Sequence, residues 1–143
     1  MAVNLYGIER ATADIDIVVK LDEENLLQFV AVAKELGLQP KLPISLADFV
    51  DASKRRSWIT NKNMTVFSLH DPDNPFFFID IFVEMPFDFD KVYMEREEIE
   101  FGNTVIPVVP IKDLIAMKER SDRPQDRADT FHLKKILKDW GHE

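Results

Sequence analysis

Three aspartates carry the strongest chemical signal in the sequence. Asp14 and Asp16 are two residues apart in the alternating run TADIDIVV at positions 12–19. Successive side chains of a strand point to opposite faces, so a strand here places both carboxylates on one face, roughly 6.5 to 7 Å apart along the backbone. Two negative charges at that separation favour a bound cation. The alternative is that the pair forms a solvated strand edge or caps the following turn.

Asp80 lies inside the apolar run FFFIDIFV at positions 76–83. An unpaired carboxylate buried among such side chains costs several kcal/mol, so we expect a compensating partner. A divalent cation shared with Asp14 and Asp16 would supply one. The chain has no cysteine, and three carboxylates suit a hard ion such as Mg²⁺ or Mn²⁺.

Length and composition favour one compact domain over residues 1–143, since 45% of the residues are hydrophobic. The absence of cysteine excludes disulfides, thiolate chemistry and thiol-bound zinc. A net charge of -8 argues against broad adhesion to nucleic acid, so any polyanion contact requires a local basic patch. With no secretory signal and no long apolar segment, we expect a cytoplasmic protein without a membrane partner.

The elements that position the aspartates follow from hydrophobic periodicity. Asp22 caps a helix whose apolar stripe ends before Gly37, and two strand-like runs at 64–69 and 77–84 form a hairpin. Further elements are a short helical stretch at 46–56, a strand at 104–109, and helices at 111–120 and 125–140. This mixture of strands and helices indicates an α/β or α+β domain.

Basic side chains offer two places for an acidic ligand. Lys118, Arg120 and Arg123 can form a focal cluster for a triphosphate, because Arg binds phosphate in a bidentate manner. The alternative, which is favoured for Arg120, is a solvated helix face and loop. Asp126 and Asp129 share a helix face and are expected to hold Arg123 or Arg127 in position. The second place is the run 54–56, Lys-Arg-Arg, which either receives an RNA or protein acceptor or is simply solvated.

The run GIERATADIDI at positions 7–17 resembles the G-x-x-R-x-T-x-D-[IVL]-D-[IVL] signature of nucleotidyltransferase-like proteins. The resemblance is to proteins related to the toxin components of abortive-infection, or type IV toxin–antitoxin, systems. It extends to MKERSDRPQDRADTFHL at positions 117–133, so it touches most of the chain. The family resemblance implies a mixed β-sheet flanked by helices, followed by C-terminal helices.

The resemblance also implies an activity, the Mg²⁺-dependent transfer of a nucleotidyl group from a nucleoside triphosphate to a hydroxyl of protein or RNA. Asp14 and Asp16 correspond to the metal ligands, and Asp80 to a third metal ligand or general base. Nucleotide contacts fall on three further residues, Thr12, Lys118 and Arg123. An antitoxin is the partner that the family resemblance implies.

One family feature is missing, the Gly-Gly or Gly-Ser pair upstream of the helix that leads to Gly7. Met1–Tyr6 is typical of the end of that helix, so we expect the first strand and the phosphate-binding pair to be absent from the chain. An uncovered sheet edge then favours contact between two copies of the chain. The missing pair is the feature that favours one alternative, a catalytically impaired binding protein that retains the fold. A separate alternative is a metal-dependent phosphohydrolase that uses the same carboxylates with water as acceptor.

Overall fold

A computed structural model describes residues 14–121 and 124–139 of the chain. Two compact units are found within them, which we name the sheet unit (residues 14–86) and the C-terminal unit (residues 87–139). Thr12, Arg123 and the predicted helix end at Met1–Tyr6 lie outside the described residues. Within the described ranges, no helix combines the length and apolarity needed to cross a membrane.

The sheet unit is built on a four-stranded mixed sheet in the order β1-β4-β3-β2. β1 is parallel to β4, whereas the β2–β3 and β3–β4 pairs are antiparallel. The elements of this unit are β1 (Asp14–Ile17), α1 (Glu23–Glu35), β2 (Gln39–Pro40), a 3₁₀ helix (Leu46–Val50), α2 (Ala52–Lys62), β3 (Val66–Asp71) and β4 (Asn74–Phe82). The predicted mixture of helices and strands and the predicted β3–β4 hairpin are confirmed.

Helix α1 begins and ends where its sequence signals predict. The Asp22 carboxylate accepts a hydrogen bond of 2.8 Å from the backbone N–H of Asn25, which satisfies a donor that the first turn leaves free. Leu26 and Val30 on its apolar stripe are buried. At the other end Gly37 has a φ of +75°, a conformation that glycine adopts without steric cost and that turns the chain away from the helix.

The predicted helical stretch at 46–56 is split in two at Asp51. This residue has extended backbone angles, and its carboxylate accepts hydrogen bonds from the backbone N–H groups of Ser53 at 2.9 Å and Lys54 at 3.3 Å. The Ser53 hydroxyl also donates a hydrogen bond of 2.8 Å to this carboxylate. Chiefly this hydroxyl bond, and then the two backbone bonds, hold the pKa of the Asp51 carboxyl below its ordinary value. Asp51 is therefore the N-cap of α2, which begins as a separate helix. This cap was not predicted from the sequence.

The two faces of the sheet have different environments. Phe67 and Leu69 on β3 and Ile81 on β4 are fully buried and belong to the core shared with α1 and α2. Trp58 of α2 stacks on Phe67, with 5.4 Å between the ring centroids. The alternate residues Ser68, His70, Phe78 and Asp80 lie on the opposite face and are half-buried.

The C-terminal unit contains α3 (Phe89–Met94), β5 (Glu97–Phe101), β6 (Thr104–Val108), α4 (Ile111–Ser121) and α5 (Pro124–Asp139). The strand predicted at 104–109 and both predicted helices are present, and β5 and β6 form a hairpin. Strand β5 was not predicted, because three of its five residues are glutamates and only Ile99 is shielded from solvent. The apolar core of the unit consists of Val108, Ile111, Leu114, Ile115 and Leu133.

Candidate carboxylate site

Strands β1 and β4 bring two of the predicted site residues together. In their parallel register Asp16 lies opposite Asp80, and Asp14 lies opposite Phe78. Adjacent strands are about 4.8 Å apart, and residues directly opposite each other share a face. Asp16 and Asp80 therefore lie on one face of the sheet. Asp14 is described by its backbone alone.

Asp80 is held by a residue that the sequence reading missed. Ser68 lies directly opposite Asp80 on β3, and its hydroxyl donates a hydrogen bond of 2.6 Å to Asp80 Oδ1. This distance is within the usual range for a hydrogen bond from a hydroxyl to an oxygen acceptor. Period-two alternation of β3 and β4 in a hairpin was the available signal, but the register that pairs these two residues could not be read from it.

The expectation that Asp80 is buried among apolar side chains is wrong. Its neighbours Ile79 and Ile81 point to the core face of the sheet, whereas Asp80 points to the other face and is half-buried. The two apolar residues next to Asp80 in sequence therefore face away from it. A metal ion was predicted to stabilise the Asp80 carboxylate. The hydrogen bond from the Ser68 hydroxyl supplies part of that stabilisation.

The donor set fits a hard divalent cation. Asp16 is exposed and Asp80 half-buried, so both present carboxylate oxygens on one face of adjacent strands. Among the described side chains, no group of three or more His, Asp or Glu residues is arranged to hold a metal ion. The Asp14 side chain is not among those described, so the three-carboxylate site stays a prediction. Oxygen ligands of this kind suit Mg²⁺ or Mn²⁺.

Lys118 lies in the C-terminal unit, where it pairs with Asp129. Lys118 Nζ is 3.4 Å from Asp129 Oδ2, and the two side chains are only 17% and 4% exposed. Asp129 was predicted to hold Arg123 or Arg127; it lies beside Lys118, and its contact with an arginine stays a prediction because those two side chains are outside the described ones. The phosphate contact predicted for Lys118 remains a prediction.

The basic run at 54–56 does not form a basic patch. Lys54 Nζ lies 2.6 Å from Asp48 Oδ1, and this contact raises the pKa of the Lys54 ammonium. Arg55 is buried, and its guanidinium donates a 2.6 Å hydrogen bond to the backbone oxygen of Phe49. Desolvation lowers the pKa of Arg55. Two of the three cations are thus engaged in holding the 3₁₀ helix to α2.

Comparison with known proteins leaves the family open. No protein-family model matches the sequence, and no curated protein matches it significantly.

Proposed function

We propose that the chain is a Mg²⁺-dependent nucleotidyltransferase-like enzyme that transfers a nucleotidyl group from a nucleoside triphosphate to a hydroxyl of protein or RNA. The observation that supports this most is the register of β1 and β4, in which Asp16 lies opposite Asp80. Two acidic residues that are 64 positions apart meet on one face, and a third, Asp14, belongs to the same strand as Asp16. The sequence signature around Asp14 and Asp16 is the second support.

The three carboxylates would serve metal binding and proton transfer in the proposed reaction. Asp14 and Asp16 would bind the ion, and Asp80 would bind it or accept a proton. The acceptor oxygen forms a bond to the α-phosphorus, the bond from that phosphorus to the oxygen bridging to the β-phosphate breaks, and pyrophosphate leaves with the bonding electron pair. The hydroxyl proton passes to Asp80 and then to solvent. Ser68 holds Asp80 Oδ1, so the second oxygen is the one available for this work.

Bound Mg²⁺ would neutralise phosphate charge and orient the reacting groups. The remaining function of the protein is to hold acidic side chains together against their mutual repulsion. A folded sheet does this through the β1–β4 register, which is maintained by core side chains on the opposite face. The site therefore tolerates charge repulsion because its geometry is fixed elsewhere.

Calorimetric titration with each nucleoside triphosphate, with and without Mg²⁺, tests the proposal directly. We expect binding that requires Mg²⁺ and that is lost in Asp16→Asn. Product analysis then separates nucleotidyl transfer from hydrolysis, because transfer releases pyrophosphate and modifies the acceptor.

Asp80→Ala gives a second test that separates function from folding. We expect Mn²⁺ affinity, followed by electron paramagnetic resonance, to fall at least about tenfold, equivalent to 1.4 kcal/mol. The melting temperature should change little, because the relief of repulsion between positions 16 and 80 offsets the lost hydrogen bond from Ser68. Asp73→Asn, in the exposed turn between β3 and β4, is the matched control and should bind Mn²⁺ as the unaltered chain does. A large loss of melting temperature with unchanged Mn²⁺ affinity would identify Asp80 as a structural charge and favour the non-enzymatic alternative.

A further inference from the structure

The carboxylate face of the sheet continues past Ser68 to a lysine. The β2–β3 register pairs Gln39 with His70 and Pro40 with Leu69. The backbone N–H of Lys41 donates a hydrogen bond of 3.0 Å to the backbone carbonyl oxygen of Ser68. Lys41 is therefore the next residue in this register, opposite Ser68. A row of residues crosses the sheet in the order Asp16, Asp80, Ser68, Lys41, and the last of them directly follows β2.

The Lys41 side chain reaches back toward the acidic end of this row. Its ammonium nitrogen lies 4.5 Å from the centroid of the Phe78 ring on β4. Phe78 precedes Asp80 by two residues on the same strand, roughly 6.5 to 7 Å along the backbone, and is opposite Asp14 in the β1–β4 register. The ammonium thus crosses β3 and lies above the strand that carries Asp80.

This position leaves the Lys41 charge available to a ligand. Lys41 is exposed, and no carboxylate forms an ion pair with it within the described part of the chain. The ring of Phe78 holds the ammonium by a cation–π contact, which at an exposed site contributes only about 0.5 to 1 kcal/mol. Such a contact orients the lysine without neutralising it, so an anion can still bind the outer side of the ammonium.

We infer that Lys41, held over Phe78, is a phosphate-binding residue for the ligand of the carboxylate face. This inference rests on the proposed function and extends it to a binding contact directly after β2. A polyphosphate suits the arrangement because one part of it can bind a cation held by Asp16 and Asp80 while another part contacts Lys41. A ligand with a single negative group cannot use both ends of the row. The site therefore selects ligands whose negative charge is spread over several phosphate groups.

Inorganic tripolyphosphate with Mn²⁺ is the probe that tests this contact without any contribution from a nucleobase. In titration calorimetry of the full chain, we expect Lys41→Gln to weaken Mn²⁺-tripolyphosphate binding about tenfold, the effect of losing one hydrogen bond to a charged group. Mn²⁺ binding alone should stay within about twofold, because Lys41 does not contact the cation. Lys41→Arg should restore most of the tripolyphosphate affinity.

Lys34→Gln is the matched control, since Lys34 is an exposed lysine in the last turn of α1, and it should leave tripolyphosphate affinity unchanged. If the unaltered chain binds Mn²⁺-tripolyphosphate and Lys41→Gln binds it equally well, the lysine assignment is overturned and the carboxylate site stands. If the unaltered chain binds neither Mn²⁺ nor Mn²⁺-tripolyphosphate, the inference and the proposed function both fail. A fall in melting temperature for Lys41→Gln without a change in affinity would mean that the cation–π contact is structural only.

Discussion

Asp80 in the sheet unit and Asp129 in the C-terminal unit are both shielded from water, but the charges around them differ. The Asp129 side chain is 4% exposed and lies 3.4 Å from the Lys118 ammonium. Asp80 is half-buried, accepts a hydrogen bond from the neutral Ser68 hydroxyl and has a second acid, Asp16, opposite it on the next strand. One carboxylate has a cation within the protein, whereas the other has a further negative charge.

This difference separates a structural charge from a binding charge. Once both partners of a buried ion pair are in place, removing either one leaves a charge that water cannot solvate, so the pair is needed for stability. Adjacent carboxylates on a half-open face repel each other and gain free energy when a cation arrives from solution. We therefore expect substitutions at Asp129 and Lys118 to affect folding, and substitutions at Asp80 and Asp16 to affect binding.

Lys118→Met should produce the largest loss of stability. Methionine keeps most of the volume and the apolar stem but leaves the Asp129 carboxylate without the ammonium, so we expect a loss of about 3 kcal/mol in the free energy of unfolding. Urea denaturation followed by circular dichroism measures it.

The same pair of helices provides the control for Lys118→Met. Lys134 Nζ lies 2.7 Å from Glu119 Oε1, but these side chains are 59% and 50% exposed. Exposed ion pairs contribute little, so Lys134→Met should cost less than about 1 kcal/mol. Equal losses for the two variants would show that burial does not make the Lys118–Asp129 pair more important for stability than the exposed Lys134–Glu119 pair.

Ser68→Ala should have the next largest effect. It removes the hydroxyl that donates to Asp80 Oδ1, and a partly solvated carboxylate that loses one hydrogen bond costs about 1 kcal/mol. Ser68→Thr retains the hydroxyl and favours a strand, so it should recover the lost stability in the same denaturation experiment. If Ser68→Thr does not restore the free energy of unfolding, the loss in Ser68→Ala comes from altered packing at position 68 and not from the missing hydrogen bond.

Asp80→Asn should have the smallest effect on stability. Asparagine can still accept the Ser68 hydrogen bond, and the repulsion between positions 16 and 80 disappears, so we expect a change within about 0.5 kcal/mol or a slight gain. Asp129→Asn, in contrast, leaves Lys118 beside a neutral amide and should lower stability by more than about 1 kcal/mol. Comparable losses at the two positions, by urea denaturation, would remove the distinction between them.

The local elements could largely be predicted from the sequence. Helix α1 follows from Asp22, its apolar stripe and Gly37, and the β3–β4 hairpin follows from two alternating runs around a turn. These signals are local, because capping, turn geometry and side-chain periodicity act over a few residues. Helix α3 was not predicted because its six residues are too few to establish a helical period, and strand β5 was not predicted because three of its five residues are glutamates.

The chain by itself therefore determined that Asp14 and Asp16 belong to one strand face and that Asp80 interrupts an apolar strand. Tertiary structure alone decided that β1 is parallel to β4, that Asp16 lies opposite Asp80, and that Ser68 bonds the latter. Register across strands is set by how core side chains such as Phe67 and Ile81 pack between the sheet and its helices. That packing depends on residues far apart in the chain, so no local pattern encodes which polar side chains it brings together on the other face.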